Sequence, residues 1–66
     1  MQITLNGAPH RVDHEPTVAA LVAGLGLNPT QAAIERNREI VPRSQWALTP
    51  LAEGDVVEMV KFVGGG

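Results

Sequence analysis

Val56-Val57-Glu58-Met59-Val60-Lys61-Phe62-Val63 places apolar side chains on both faces of one strand, and Gly64-Gly65-Gly66 follows with no polar spacer. Side chains alternate along a strand, so Val57 and Met59 point one way while Val56, Val60 and Phe62 point the other. A near-continuous apolar run is the pattern of a central strand flanked on both sides. The stretch therefore predicts a strand in the middle of a sheet, with its end leading directly into the glycines.

Its partner lies at the other end of the chain. Met1, Ile3 and Leu5 alternate with Gln2, Thr4 and Asn6, the period of a half-buried strand. Asn6-Gly7 supplies the two positive φ angles of a type I′ turn. A two-residue loop sets Leu5 opposite Ala8, Ile3 opposite His10 and Met1 opposite Val12. One face then carries Met1, Ile3, Leu5, Ala8 and Val12. Pro9 has no N–H to give a ladder, which makes the second strand a sheet edge.

Pro16-Thr17 opens a helix of about nine residues with Thr17 as N-cap. Val18, Leu21, Val22 and Leu25 form its apolar stripe, and Gly24 and Gly26 end it. After the turn at Asn28-Pro29-Thr30, Ala32 to Arg36 reads as a strand, Asn37-Arg38 as a turn and Glu39-Ile40-Val41 as a short strand. Residues 42–53 have no clear period and contain Pro42 and Pro50. They read as a wrapped segment with one short helical turn. Glu53-Gly54-Asp55 is a turn signal before the last strand. The first and last strands cannot be joined by a tight turn. Setting them parallel, with the helix across the sheet, yields an α+β, ubiquitin-like β-grasp for residues 1–63 and a flexible glycine tail at 64–66.

Bulk properties narrow the function. A chain of 66 residues has little room for both a core and an enclosed active site. Five basic residues against seven acidic ones, a net charge of −2, with only Trp46 and Phe62 as aromatics, argue against nucleic-acid binding. No cysteine is present, which excludes thiol chemistry and a disulfide framework. No signal-peptide pattern opens the sequence and no apolar stretch approaches a bilayer span. The expected protein is soluble, cytoplasmic and monomeric when free, and engages neither membrane nor nucleic acid.

Conventional catalytic groups are sparse. His10 and His14 lie four apart on a strand and its exit, where that spacing does not converge on a metal. Gly24-Leu25-Gly26 sits at a helix end and forms no phosphate cradle. Glu53, Asp55 and Glu58 read as a solvated turn, and no metal site is expected. The tail is left as the working part. Glycines without side chains can enter a narrow slot, and Gly64 to Gly66 reach about 10 Å beyond the body of the chain. The Gly66 carboxylate at their tip is a nucleophile that a partner could direct at a nucleotide's α-phosphate. Taken alone, three glycines fit a frayed or truncated end equally well. Val60 and Phe62, on the face opposite Val57 and Met59 and next to the tail, form a candidate docking patch. Trp46 reads as a core or covering residue, and coverage of that patch by residues 42–53 is the competing arrangement.

Three segments carry a family resemblance: Asn37-Arg38-Glu39-Ile40-Val41-Pro42-Arg43-Ser44-Gln45-Trp46, Leu51-Ala52-Glu53-Gly54-Asp55-Val56-Val57-Glu58, and the terminal Gly65-Gly66. With the opening Met1-Gln2-Ile3 and Asn6-Gly7, the chain resembles the ThiS family, the sulfur-carrier proteins of thiazole formation in thiamine biosynthesis. The resemblance implies a β-grasp fold and a carrier without an active site of its own. In such a cycle an E1-like enzyme adenylates the Gly66 carboxylate with ATP and magnesium, and no cofactor stays bound to the carrier. Sulfur from a cysteine desulfurase system then replaces the adenylate, and thiazole synthase consumes the thiocarboxylate. The family pattern requires Gly65 and Gly66, and leaves Gly64 a spacer. The small subunit of molybdopterin synthase is the alternative within this chemistry. A ubiquitin-like modifier and a plain interaction module are alternatives outside it.

Overall fold

The computed structural model describes residues 1–13 and 16–62. Five strands, β1 (Gln2–Leu5), β2 (Ala8–Arg11), β3 (Ala32–Arg36), β4 (Glu39–Val41) and β5 (Val56–Lys61), form one sheet with a single α-helix, α1 (Val18–Gly24). The sheet order is β2-β1-β5-β3-β4. β1 and β5 are parallel, and every other neighbouring pair is antiparallel. The C-terminal strand therefore lies at the centre, as its apolar pattern predicts.

Local chemistry explains the first hairpin. Asn6 and Gly7 have φ of 49° and 81°, which suits the right-handed twist of the flanking strands. Leu5 faces Ala8 and Ile3 faces His10, as the two-residue loop requires. Pro9, opposite Thr4, stands at a position whose N–H would point away from β1. No donor is lost there, and the open edge is blunted against further pairing. Turn side chains also complete the ladder of β5. The Asn6 Oδ1 accepts from the Met59 N–H at 2.7 Å, and the Asn37 Oδ1 accepts from the Val56 N–H at 2.9 Å. Asn37-Arg38 forms a second two-residue loop with φ of 51° and 70°.

The helix begins where expected, with the Thr17 hydroxyl accepting from the Ala20 N–H at 3.1 Å. It is shorter than expected, seven residues. Gly26 adopts a φ of 71°. The Gly26 N–H donates to the Ala23 carbonyl and the Leu27 N–H to the Val22 carbonyl, the paired bonds of a Schellman stop. The chain turns before Leu25 completes its stripe, so Leu25 is exposed, while Leu27 packs back onto the core. That core comprises Ile3, Val12, Val18, Leu21, Val22, Ile34, Trp46, Leu51 and Val57. Ala8 does not join it. Beside the turn at the corner of the sheet it is exposed.

The segment without a clear period is a strap containing a six-residue 3₁₀ helix, Arg43–Leu48. It is tied to the start of α1 by the Val18 N–H on the Thr49 carbonyl (2.9 Å) and the Leu51 N–H on the Pro16 carbonyl (2.8 Å). Helix and strap bury the Val57 face of the sheet. This corrects one expectation: β5 is central within the sheet, but its Val56, Val60 and Phe62 face is not covered among the described residues. The domain has two layers, and the single helix with its strap occupies one side only. Among the described residues no helix is long and apolar enough to cross a membrane.

Candidate docking face and tail exit

Strand register builds the open face. Ala33 pairs with Val60, Glu35 with Glu58, and Glu35 again with Ile40 on β4. Directly paired residues project from the same side of a sheet. Ile40, Val60 and Phe62 are 77%, 55% and 52% exposed. They border an open groove of about 230 Å³ whose lining includes Ala33, Glu35 and Glu58. The expected docking residues Val60 and Phe62 thus share one surface and are not covered by Trp46. Ile40 and Glu35 were not identified from sequence. Only the β3–β4 pairing brings them beside β5, and the alternation of a three-residue strand is too short a signal to find them.

Backbone pairing holds β5 almost to the tail. It is bonded to β1 on one side and β3 on the other, and the Phe62 N–H donates to the Gln31 carbonyl at 2.8 Å. Val63, Gly64, Gly65 and Gly66, which carry the expected presenting group, lie outside the described residues, as does His14.

The acidic residues near the last turn separate into three roles. The Glu53 carboxylate accepts from the Gln2 N–H through both oxygens at 3.2 Å. Glu58 points into the groove. Asp55 is buried at 7% exposure, which corrects the reading of all three as a solvated turn. Its Oδ2 accepts from the Ala52 N–H at 2.8 Å and from the Arg36 guanidinium at 3.2 Å, and its Oδ1 from the Asn37 amide at 3.1 Å. Arg36 and Asp55 are therefore a structural pair that locks the turn before β5.

Burial pushes the Asp55 pKa upward, but the bonds from Ala52, Asn37 and Arg36, with the Arg36 charge, overcome this and hold it below the ordinary carboxylate value. A depressed folded-state pKa contributes stability that is complete above the ordinary aspartate value, about pH 4. That contribution is lost as pH falls through the lower folded value. Asp55→Asn is expected to cost about 1–3 kcal/mol at pH 7 and to flatten the acid limb of the stability profile. Denaturant melts at neutral and acid pH measure both, and an unchanged acid limb would remove Asp55 as its source.

The remaining candidates do not form a reactive site. His10 is half-buried at the β2 edge, on the rim of an open groove of about 430 Å³ shared with Arg11, Asp13 and α1. Among the described residues no group of three or more His, Cys, Asp or Glu could hold a metal ion.

Comparison with known proteins adds a consistent pattern. A family model described as "ThiS family" matches residues 3–66. A thiazole synthase of Magnetococcus marinus is 42% identical over 66 residues, 100% of this chain and 20% of that protein. The sulfur carrier protein ThiS of Escherichia coli is 33% identical over 66 residues, the whole of both chains. A crystal structure of the thiamine biosynthesis protein (ThiS) from Geobacter metallireducens superposes with a TM-score of 0.85 at 33% identity, covering 100% of both chains. The chain spans about a fifth of the length of the thiazole synthases it matches.

Proposed function

The chain belongs to the ThiS family, and on that premise we propose that it is a sulfur carrier for thiazole formation in thiamine biosynthesis, with Gly66 as the residue that bears the sulfur. The setting of β5 carries the proposal. A strand paired on both sides holds the root of the glycine tail, while an open apolar face beside that root offers a place to dock. Anchoring at the root means that a partner binding the body also fixes where the tail begins. That is how a tethered nucleophile gains effective concentration.

In this reading an E1-like enzyme supplies ATP and magnesium. The Gly66 carboxylate attacks the α-phosphate, pyrophosphate leaves and an acyl adenylate forms. A persulfide delivered by a cysteine desulfurase system then attacks the acyl carbon and AMP leaves. A thiol of that system cleaves the resulting acyl disulfide, is itself oxidised to a disulfide, and leaves the thiocarboxylate. The chain is a cosubstrate in both steps and contributes position instead of catalytic groups. Thiazole synthase is the proposed acceptor. In two relatives a segment 41–42% identical to the whole of this chain is part of a thiazole synthase, which supports contact between these two units.

Intact mass after incubation with the activating enzyme, ATP and a sulfur source tests the proposal. Replacement of one terminal oxygen by sulfur is the expected result. A lysine adduct with another protein would instead identify a modifier. Val60 and Phe62 are the proposed docking residues. Phe62→Ala is expected to weaken partner binding about tenfold or more while changing stability by less than about 1 kcal/mol, because Phe62 is half exposed. Titration calorimetry and thermal melts read the two effects, and the reverse ranking would assign Phe62 to the fold.

A further inference from the structure

Glu35 and Glu58 are register partners on β3 and β5, so their Cβ atoms lie roughly 5 Å apart on the open face. Like charges directly opposite each other destabilise a sheet. Among the described residues neither carboxylate forms an ion pair: the pair found there is Arg36–Asp55, on the opposite side of the sheet. Apolar side chains border the pair, with Ile40 across from Glu35 and Val60 and Phe62 along the groove. Two carboxylates set in an apolar groove disfavour the free domain slightly, and a cation from outside relieves them.

We propose that this groove docks a segment of the partner protein that carries an arginine among apolar side chains, the guanidinium reaching Glu35 and Glu58 while its stem packs on Ile40, Val60 and Phe62. A guanidinium suits the site because its aliphatic stem covers apolar surface and its planar fork can meet two carboxylates. A second copy of the chain does not suit it. A two-fold contact through this face would place the same carboxylates against each other. The choice of partner rests on the carrier reading, and thiazole synthase is the probe.

The experiment measures binding of the full chain to the purified synthase from the same source, at low and high salt. Glu58→Gln and the double variant Glu35→Gln with Glu58→Gln are compared with Glu39→Gln, which removes the same charge outside the groove. The double variant is expected to bind about tenfold more weakly at low salt, with the difference closing at high salt as screening removes it. Glu39→Gln should bind like the parent, and the double variant should melt at the parental temperature or above it. Equal binding by the double variant overturns the proposal, as does equal weakening by Glu39→Gln, a lowered melting temperature that accounts for the loss, or magnesium binding to the groove in calorimetry without the synthase. Failure of the parent to bind the synthase also overturns it. Thiocarboxylate formation, read separately by mass with the activating enzyme, decides the carrier reading independently.

Discussion

A chain lacking Gly66 is expected to form no thiocarboxylate and yet to melt at the temperature of the full chain. Deleting one residue leaves Gly65 with the terminal carboxylate, which retracts the nucleophile by about 3.4 Å. Attack on a phosphorus atom needs reacting atoms within about 3–3.5 Å, and misplacement by about 1 Å already costs on the order of 100-fold. If Val60 and Phe62 dock on the activating partner as proposed, sliding the body cannot recover the distance. Adding a residue beyond Gly66 is expected to be equally damaging, since the carboxylate is then displaced past the reacting phosphate. Stability should be unaffected because the core runs from Ile3 to Val57. Mass spectrometry after activation and a thermal melt are the two measurements. An extended chain that accepts sulfur without being trimmed would refute the assignment of Gly66.

Trp46→Ala should be the most destabilising of the substitutions considered. Trp46 is 4% exposed and wedges the strap against α1, and its indole N–H donates to the Val41 carbonyl at 2.8 Å. That one side chain joins the helix layer to β4, the edge strand that supplies Ile40 to the candidate docking face. Removing a buried tryptophan costs about 3–5 kcal/mol, against a total of roughly 3–10 kcal/mol for a domain of this size. Circular dichroism should therefore report a largely unfolded or marginally folded chain at room temperature. Trp46→Phe keeps most of the apolar volume but leaves the Val41 carbonyl without its donor, and should cost less, about 1–3 kcal/mol. If Trp46→Ala melts within a few degrees of the parent, the strap is not what closes the core.

These substitutions also separate what was legible in the sequence from what was not. Asn6-Gly7 specifies a two-residue loop because it readily supplies two positive φ angles, and a loop of fixed length fixes the register of its strands. Asn37-Arg38 reads only as a turn, and the structure adds its two positive φ angles. Thr17 caps α1 and Gly26 stops it through bonds that span no more than a few residues. The alternation in 56–62 separates Val57 from Val60 and Phe62 correctly, since that separation is a property of any strand. The proposed role of Gly66 has a different origin. Elimination of other candidates points to the tail, and family likeness narrows it to Gly66, because a run of glycines specifies nothing by itself.

The failures lie where distant segments meet. Asp55 reads as a turn residue, but Arg36 and Asn37, which arrive with the β3–β4 hairpin, bury it and bond it. Glu35 and Ile40 belong to the candidate docking face only because β3 pairs with β5 and β4 pairs with β3. The strap carries no period, so only packing decides that it joins α1 on the Val57 side and leaves Val60 and Phe62 open. The sequence by itself determined the turns, the caps, the alternation of the last strand and its direct passage into the glycines, all of which depend on backbone geometry within a few residues. Tertiary structure decided which face is covered and which side chains converge beside the root of the tail, because strand pairing and burial couple residues that local geometry does not connect.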